Sequence, residues 1–516
     1  MSSLIHEIQT AHTPETLVAQ LHGLPGVMLL RSALFDSPAS RYSLVLARPF
    51  LTFRSSGSRC EIVSAYQLST NNHQLQFGNP WHILDALMAR YELLDEADQP
   101  FPLGGCFGYW GYDLKNFVEP QLPRRAINDL ELPDCHVGFH DSLVVFDHRL
   151  GKTWIVSTGL AADGSRSETR AKEQMEFWQK KLTADAEGRA GSPLPAERRA
   201  RSDAPYQSNL TRAGFLAAVA RAQRYIRAGD IYQVNLSQRL TVGVQALACS
   251  PDTLKRGLQR GHQSFAWKLF QRLTAVSPAP FAAFLDCGDF QIASSSPELF
   301  LRVSGAHILT RPIKGTRPRH AEPTRDAQLA YELQTSAKEL AELVMITDLL
   351  RNDLGKVCEY GSVQVPELAR LEKFAQVQHL VSTVEGRLRG DVTHFAALAS
   401  CFPGGSITGA PKIRAMEIID ELEPVTRGPY TGALGYLGFN RESQLSILIR
   451  AAVCKNNLAH FHVGAGIVAD SVPEAEYDET LAKAAGFLAA LNLESANSAN
   501  LREQKIPLAK IREISG

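Results

Sequence analysis

A break in composition between Thr183 and Ser208 most constrains what this chain can fold into. The stretch contains ADAEGRAGSPLPAERRARSDAP, which is rich in Ala, Gly, Pro, Arg and Glu and lacks runs of large apolar residues. Such composition is typical of a linker or a surface excursion. A chain of 516 residues also exceeds what one hydrophobic core usually supports. We therefore predict an N-terminal lobe over 1–182, a linker or surface insertion over 183–207, a second domain over 208–495 and a C-terminal tail over 496–516.

Both large segments carry strand signals. The runs Tyr42–Ala47, His136–Trp154, Phe281–Ser294 and Ser443–Cys454 are β-branched or aromatic and are bounded by turn residues. Helical periodicity is confined mainly to the second segment, at Leu340–Leu354 and Glu474–Leu491. Strands and helices do not alternate strictly, and no internal repeat is visible. This pattern favours a mixed α+β fold over a doubly wound one with a parallel sheet. We also expect the chain to form two lobes.

Charge and cysteine usage exclude several classes of protein. Lys plus Arg and Asp plus Glu both number 54, so no net field favours nucleic acid or an anionic membrane as the main partner. The eight cysteines show no C-x-x-C or Cys/His ligand spacing, which argues against a zinc site and a disulfide framework. Residues Met1–Glu15 carry His6, Glu7 and His12 where a secretory signal would need an apolar stretch. We expect a soluble cytoplasmic protein that acts on a small molecule.

Two helical segments carry paired carboxylates. Glu339 and Glu342 are three residues apart, and Glu476, Glu479 and Lys483 are spaced at i, i+3 and i+7, so each set shares one helix face. Acidic residues at helical spacing usually lie on the solvent-exposed face of an amphipathic helix and have no further role. Carboxylates from two helices that face each other across a cleft would instead form a hard oxygen site suited to Mg²⁺ and an anionic substrate.

Two glycine-rich segments could approach a ligand with their backbones. Phe402–Lys412 (FPGGSITGAPK) has flexible backbone before a helix start at Pro411, where free amide groups could hold a carboxylate. It is not a phosphate-binding P-loop, because no Gly-Lys-Ser/Thr follows the four spacer residues. Gly464–Ser471 (GAGIVADS) combines glycines with a strand end just before the second acidic helix. An ordinary loop and helix cap, and a strand and turn, remain the alternatives.

Lys314 lies in RPIKGTRPR, between an apolar residue and a glycine. Most lysines are exposed charges. A lysine can be a nucleophile only when it has lost its proton, and burial beside another cation such as Arg317 would promote that loss. Lys314 therefore matters only if it faces the cleft.

Eight segments, taken together and in order, resemble the signature segments of the chorismate-utilising enzymes, over about Ser208–Leu491. Two segments of the first lobe, MLLRSALFDSPASRYSLVLARP and FPLGGCFGYWGYDL, resemble the N-terminal lobe of anthranilate synthase and aminodeoxychorismate synthase large subunits. The resemblance implies antiparallel β-sheets packed against each other with helices on the outside. The eight segments are IYQVNLSQRL, IASSSPELF, RPIKGTR, KELAELVMITDLLRNDLG, VQHLVSTVEGRL, CFPGGSITGAPKIRAMEIIDELEP, RGPYTGALGYLGF and GAGIVADSVPEAEYDETLAKA.

Within this family two positions separate the reactions. Gln233 stands where isochorismate-forming members carry a lysine that activates water, so the resemblance implies ammonia as the nucleophile. Lys314 stands where anthranilate synthases carry alanine, and it resembles the lysine of aminodeoxychorismate synthases that attacks C2 of chorismate. The implied reaction is amination of chorismate at C4 on the route to 4-aminobenzoate and folate, with Glu298 protonating the departing oxygen. The alternatives are the anthranilate synthase reaction and a noncatalytic protein that senses chorismate or tryptophan.

The resemblance also implies a metal, a partner and a second ligand. Glu342 and Glu479 resemble the principal Mg²⁺ ligands, with Glu339 and Glu476 beside them. No glutaminase domain is visible in the chain, so ammonia is expected from a separate glutamine amidotransferase subunit in a heterodimer. The implied substrate-binding residues are Gln233, Thr316, His379, Ser406, Tyr430, Arg450, Gly464, Gly466 and Lys483, and the implied tryptophan-binding residues are Ser32, Ser40, Arg41 and Tyr42.

Overall fold

The computed structural model describes residues 2–32, 41–64, 73–96, 98–184, 206–243, 264–374 and 377–491. Most of the predicted insertion 183–207 and the whole predicted tail 496–516 lie outside these ranges. None of the helices within them is both long and apolar enough to cross a membrane.

One antiparallel sheet of twelve strands, called the first sheet, runs in the order β1-β10-β9-β3-β2-β13-β14-β23-β24-β12-β11, with β20 also paired to β12. Strands are numbered along the chain. Those of the first sheet are β1 (Leu4–Ile8), β2 (Met28–Arg31), β3 (Tyr42–Leu46), β9 (Ser142–Asp147), β10 (Lys152–Ser157), β11 (Gln207–Ser208), β12 (Gln233–Gly243), β13 (Phe281–Asp286), β14 (Gln291–Ser296), β20 (Gly409–Ala410), β23 (Ala451–Lys455) and β24 (Leu458–Ile467).

A second sheet, also of twelve antiparallel strands, runs in the order β17-β19-β16-β15-β22-β21-β7-β8-β4-β5-β6, with β18 also paired to β19. Its strands are β4 (Leu51–Ser56), β5 (Arg59–Ser64), β6 (His73–Phe77), β7 (Gly105–Trp110), β8 (Cys135–His140), β15 (Leu299–Ser304), β16 (His307–Arg311), β17 (Ile313–Pro318), β18 (Gln364–Lys373), β19 (Val377–Arg387), β21 (Ala433–Gly438) and β22 (Glu442–Ile447).

Several of the described helices begin at residues that favour a helix start. The Ser336 side chain accepts a hydrogen bond from the Glu339 amide, and Pro473 occupies the first turn of its helix. The helices are α1 (Pro14–Gln20), α2 (Pro80–Met88), α3 (Lys115–Val118), α4 (Glu168–Thr183), α5 (Arg212–Arg227), α6 (Phe265–Val276), α7 (Pro323–Thr335), α8 (Ala337–Gly355), α9 (His394–Cys401), α10 (Lys412–Leu422) and α11 (Pro473–Ala490), and 3₁₀ turns cover Leu94–Glu96, Tyr112–Leu114 and Gly405–Ile407.

Apolar side chains form layers between the two sheets and on their outer faces. Strand residues alternate sides, so one set of each sheet points to the other sheet and one set points to helices. The resulting architecture is a sandwich of antiparallel sheets with helices outside, and it confirms the predicted α+β class. The core between the sheets includes Leu44, Phe107, Ala283, Ile292 and Leu434; helices cover the first sheet at Trp178, Phe270 and Phe487, and the second at Trp81, Ile346 and Phe395.

The predicted elements are present with shifted limits, and the runs Phe281–Ser294 and Ser443–Cys454 each divide into two strands. The run His136–Trp154 divides into β8, β9 and the first part of β10, because the Asp147 carboxylate accepts hydrogen bonds from the amides of Arg149 and Leu150 and closes a turn there. The first acidic helix begins at Ala337, three residues before the predicted start, because Ser336 caps it.

Each sheet takes strands from both sides of residues 183–207. Strand β2 pairs with β13 in the first sheet, and β7 pairs with β21 in the second. The two segments therefore share their cores, and the site described next lies on elements that this sharing holds in place.

Candidate active site

The strand pair β12 and β24 forms the floor of the site. A Cβ atom added to Gly464 would lie 2.7 Å from the Asn235 amide oxygen and 2.9 Å from the Tyr430 hydroxyl, and one added to Gly466 would lie 2.6 Å from Gln233 Nε2. A side chain at 464 would also meet the Leu236 carbonyl at 2.9 Å, and one at 466 would displace the Gln233 side chain. Gln233 is 2% exposed, and its Oε1 atom has no hydrogen-bond partner in the described part of the chain. The floor therefore presents a buried acceptor beside bare backbone, which is a surface built for a ligand.

Glu298 follows β14 at the turn into β15. Its amide donates to Ser296 Oγ at 3.3 Å, and its carbonyl accepts from the Ile447 amide at 3.1 Å. Burial raises the pKa of the carboxyl group, while a hydrogen bond from Ser406 and the positive charge of Lys314 lower it in part. The fold thus brings these three predicted residues together and gives Glu298 the raised pKa that an acid catalyst needs.

Glu342 on α8 stands at the meeting point of two acidic helices. Burial raises its pKa; the positive charges of Lys314 and Lys338 oppose that rise, and the negative charges of Glu339 and Glu479 add to it. Glu479 belongs to α11, so the predicted carboxylates of the two helices do face each other. Lys314 lies within electrostatic reach of both Glu298 and this carboxylate group.

The four predicted metal-binding carboxylates suit a hard cation. Burial also raises the pKa of Glu476, and the neighbouring charge of Glu479 raises it further. In the ranges described above, no three acidic, His or Cys side chains are close enough to form a ready-made metal cluster. Lysines pair with two of the acids instead: Lys338 Nζ lies 4.0 Å from Glu342, and Lys483 Nζ lies 2.7 Å from Glu479. An all-oxygen set of this kind fits Mg²⁺, which is usually held by one or two carboxylates and several waters.

Thr316, His379 and Arg450 form a second wall. Thr316 Oγ1 lies 2.9 Å from His379 Nδ1 across the β17 and β19 pair. Burial and the charge of Arg450 lower the pKa of His379 to about 4, so the ring is neutral near pH 7. Burial also lowers the pKa of Arg450, whose backbone has a φ of 51° and whose Nη1 donates to Ser277 Oγ at 3.4 Å. A partly buried guanidinium on a backbone with positive φ can bind an anionic group of a ligand.

Lys483 and Tyr430 connect the floor to the acidic helices. Lys483 Nζ donates to the Gly464 carbonyl at 2.9 Å while it pairs with Glu479. The Tyr430 ring stacks on His462 with centroids 4.9 Å apart, and burial raises its pKa to about 12. Tyr430 is therefore a neutral hydrogen-bonding group at the floor.

Arg317, the cation considered beside Lys314, has an acidic partner of its own. Its Nη1 lies 3.6 Å from Glu339 Oε1 and donates to the Thr316 carbonyl at 2.9 Å. The charged groups that interact with Lys314 are the acids Glu298 and Glu342.

Sequence reasoning missed four residues of this site. Asn235 lies against Gly464, Lys338 pairs with Glu342, His462 stacks under Tyr430, and Arg427 lies 5.7 Å from the Tyr430 ring centroid. One signal was available: polar residues alternate along β12 at positions 233, 235, 237 and 239, where a core strand would normally be apolar.

A cavity of about 470 Å³ lies between the two sheets, and none of the site residues named above lines it. Three of the predicted tryptophan-binding residues, Ser32, Arg41 and Tyr42, line it, whereas Ser40 lies outside the described residues. Arg41 pairs with Asp147 at 2.6 Å. The Ser32 and Tyr42 hydroxyl oxygens are buried with no hydrogen-bond partner among the described residues. Both are therefore available to a polar ligand.

Known proteins resemble the chain over nearly its whole length. The model of the family described as chorismate binding enzyme matches residues 32–489. Anthranilate synthase component 1 of Thermus thermophilus is 39% identical over 488 residues, which cover 94% of this chain and 96% of the relative. Aminodeoxychorismate synthase component 1 of Salmonella typhimurium is 37% identical over 470 residues, which cover 91% and 94%.

A solved structure agrees with these matches. Anthranilate synthase component I of Streptococcus pneumoniae aligns with a TM-score of 0.70 at 30% identity, covering 88% of this chain and 93% of that one. The two kinds of relative are nearly equal in identity, so the comparisons do not separate the two reactions. The family model and the relatives cover most of the chain, and the acids, lysines and glycines of the site converge, so the chain belongs to the chorismate-binding enzymes and is an enzyme that uses chorismate.

Proposed function

We propose that the chain is the large subunit of an aminodeoxychorismate synthase, which replaces the C4 hydroxyl group of chorismate with an amino group. The observation that carries the proposal is the position of Lys314, whose charge acts on both the buried acid Glu298 and the carboxylate Glu342. A primary amine between an acid and a carboxylate group can act as a nucleophile on a bound anion. Alanine at the same position could not.

In the proposed first step, Lys314 passes its proton to Glu298 and adds through nitrogen to C2 of chorismate. The ring double bonds shift, and the bond between C4 and oxygen breaks. Glu298 gives its proton to the departing oxygen, which leaves as water. The result is a secondary ammonium at C2 and a Glu298 carboxylate ready for the next cycle.

In the second step, ammonia attacks C4, the double bonds shift back, and the bond between C2 and the lysine nitrogen breaks. Lys314 leaves as a neutral amine and regains a proton from solvent. The enolpyruvyl group stays in place throughout, so pyruvate is not released. Splitting one substitution into two easier ones is what covalent catalysis contributes.

We also propose that Glu342 and Glu479 hold Mg²⁺, with Glu339 and Glu476 beside them. When bound, the metal supplies positive charge for the ring carboxylate of chorismate. Arg450 and the Tyr430 hydroxyl would bind the remaining anionic and polar groups of the substrate. The ammonia is expected from a separate glutamine amidotransferase subunit, because the relatives are named as component 1 of their synthases.

The cavity beside Ser32 and Tyr42 is proposed to bind tryptophan. Its volume of about 470 Å³ falls in the usual range for small-molecule sites. Calorimetric titration with tryptophan should show binding that Tyr42→Phe weakens by about fivefold, the usual effect of one lost hydrogen bond. Equal affinity in the variant and the wild type would contradict the assignment.

Product identity tests the main proposal. Purified protein is incubated with chorismate, Mg²⁺ and ammonium at mildly alkaline pH, with and without an aminodeoxychorismate lyase, and the products are separated by chromatography. We expect 4-aminobenzoate only when the lyase is present. Direct formation of anthranilate and pyruvate would instead establish amination at C2, the reaction of the anthranilate synthase relatives.

A further inference from the structure

Strand β6 (His73–Phe77) is the last strand at one end of the second sheet. It pairs with β5 on one side, and in the part of the chain that the structure describes no strand lies against its other side. The Gly78 amide donates to the Ser58 carbonyl at 2.9 Å, which continues the same register. Since hydrogen-bonded and non-hydrogen-bonded pairs alternate along an antiparallel ladder, the N–H and C=O groups of three residues point away from β5. They are His73, Leu75 and Phe77.

The side chains of the same three residues lie on the outer face of the sheet. Opposite residues of a strand pair share a face, and Cys60 and Ile62 of β5, which pair with other residues of β6, are buried on the core side. Leu75 is 45% exposed and Phe77 is 70% exposed, while Val63 of β5, on the same outer face, is 37% exposed. Free backbone groups and exposed apolar side chains therefore occur together on β6.

The other ends of the two sheets are protected against pairing with another chain. Strand β1 carries Glu7, which pairs with Lys152 at 2.7 Å, and β11 has only two residues. Strand β18 has four charged residues and one proline, and its register shifts twice. Charges, prolines, bulges and short length are the usual means of protecting a free edge. Strand β6 has the sequence HQLQF, so it lacks the charged residues and prolines that protect other edges.

The outward groups of β6 are complementary to those of a second β6. Because these groups are evenly spaced about Leu75, an antiparallel second copy places its own Leu75 opposite this one, with His73 opposite Phe77 on either side. Each of these three opposed pairs can exchange two hydrogen bonds, so every outward N–H and C=O group of both strands finds a partner. No two charged side chains of equal sign are brought together, and the apolar pairs add their own contacts.

We propose that two copies of this chain associate about a two-fold axis at Leu75, so that their second sheets join edge to edge through β6. The exposed side chains of Val63, Leu75 and Phe77 from both copies then form one apolar strip on the outer face. None of the candidate active-site residues lies on β5 or β6, so the inference is independent of the reaction that the site performs. Two five-residue strands form a small interface, and the dimer is therefore weak, with a dissociation constant in the micromolar range.

The first test is sedimentation velocity over concentrations that span the micromolar range. We expect the average mass to rise from that of the 56.7 kDa monomer toward twice that value. Leu75→Lys places two like charges on the two-fold axis and should raise the dissociation constant at least about tenfold. Leu150→Lys is the matched control, because Leu150 is a leucine of similar exposure, 55%, in the turn after β9. It should leave the dissociation constant unchanged.

A second variant tests the backbone hydrogen bonds. Leu75→Pro removes an N–H group that points away from β5, so the hydrogen bonds between β5 and β6 stay in place. Both N–H groups at the two-fold axis are lost, and the dissociation constant should again rise about tenfold or more. Melting curves at low protein concentration, where the chain is monomeric, show whether each variant is folded. Leu75→Lys decides the matter if Leu75→Pro is not.

Cross-linking tests the register of the two strands. Antiparallel pairing about Leu75 brings the Cα atoms of the two copies of this residue to about 5.5 Å. A short bismaleimide should therefore convert Leu75→Cys to a covalent dimer and leave Leu150→Cys monomeric. The wild-type chain is the blank, since it carries the native cysteines, of which the described ones are buried. Equal cross-linking of the two variants would contradict the two-fold pairing.

A wild-type chain that stays monomeric over the whole concentration range would overturn the proposal, as would a dimer that neither substitution at Leu75 weakens. Hydrogen exchange of the monomer supplies a further check. Slow exchange of the His73, Leu75 and Phe77 amides in the monomer would show that another segment of the same chain, such as 492–516, covers this edge, and the second copy would then be excluded.

Discussion

At the scale of the residue, the proposed chemistry depends on proton transfer between Lys314 and Glu298. The lysine must lose a proton before it attacks, and Glu298, whose pKa burial raises, is the neighbouring group able to take it. The same proton then serves the departing hydroxyl group. One acid and one amine that share one proton therefore perform both halves of the first step.

Replacing Lys314 with alanine should lower the rate of C4 amination by at least about a hundredfold, because the covalent route is lost. Lys314→Arg should not restore it, since arginine keeps the charge but not the nucleophile. Lys338→Ala is the matched control, because Lys338 is another lysine next to Glu342 and has no proposed role in attack. Rates are measured by chromatography of the amino product. Near-normal amination by Lys314→Ala would rule out the covalent step.

Replacing Glu298 with glutamine should lower the rate by about 10²- to 10⁴-fold and, at neutral pH, raise thermal stability. Because burial raises the pKa of Glu298 in the folded state, the native protein holds this proton more tightly than the unfolded chain does. Stability that this group contributes is complete below the unfolded pKa of about 4.3 and is lost as pH rises through the folded pKa.

The measurement for Glu298→Gln is the melting temperature against pH. We expect the variant to match the wild type in acid and to exceed it increasingly toward pH 7. Ser406→Ala keeps the ionisable carboxyl group and removes a hydrogen bond that lowers its pKa, so its decline should be at least as large as that of the wild type. Parallel curves for wild type and Glu298→Gln would show that the carboxyl group carries no burial penalty.

Residue types that carry chemistry were predictable, and their supporting contacts were not. Lys314, Glu298 and the four helical glutamates stand in motifs with a mechanism behind them. Asn235 joins the site through strand pairing, which brings it beside Gly464, more than two hundred residues later in the sequence. His462 joins it by stacking on Tyr430. Lys338, in contrast, lies four residues before Glu342 on the same helix, so helical spacing could have revealed that pair. Nothing local in the sequence specifies the contacts of Asn235 and His462.

At the scale of the element, helices α8 and α11 present their acids because each has one buried and one accessible side. In α11, Phe487 and Leu488 pack into the core while Glu479 stays partly exposed toward the site. The 3.6-residue period and the capping residues made both helices predictable. That they face each other depends on sheet contacts far away in sequence, which periodicity does not encode.

The metal proposal is best tested on these helices. Glu342→Gln should raise the Mg²⁺ concentration for half-maximal activity by about 10- to 100-fold, since one anionic oxygen ligand is lost. It should also reduce the increase in melting temperature that Mg²⁺ produces, a readout independent of turnover. Glu474→Gln, an exposed acid in the first turn of α11, is the matched control. Identical Mg²⁺ responses in both variants would show that Glu342 is not a ligand.

At the scale of the whole molecule, the two sequence segments form one structure because both sheets are shared. Strand order could not be read from the sequence, since strands such as β2 and β13 carry no local sign of their partner. The break in composition indicates where the chain can be interrupted, and not where one folded body ends.

Cutting the chain between residues 185 and 205 should leave the molecule assembled. A protease recognition sequence introduced there is cleaved in the purified protein, and the products are followed by size-exclusion chromatography and activity. We expect both fragments to elute together with most of the activity kept, because β2 with β13 and β7 with β21 still hold them. Fragment 206–491 made alone should aggregate, since it exposes those strand edges. Separate elution of two folded fragments would contradict a shared core.

The pairing of β2 with β13 also affects the chain while it is being synthesised. The partner strand is synthesised about 250 residues after β2, so at about 5–20 residues per second the nascent chain waits roughly 10–50 s with a bare strand edge. The edge of β7 that pairs with β21 stays unpaired for even longer. During that interval the emerging polypeptide depends on chaperones to cover it, and translation speed, rather than final stability, is expected to govern how much of this enzyme a cell obtains in native form.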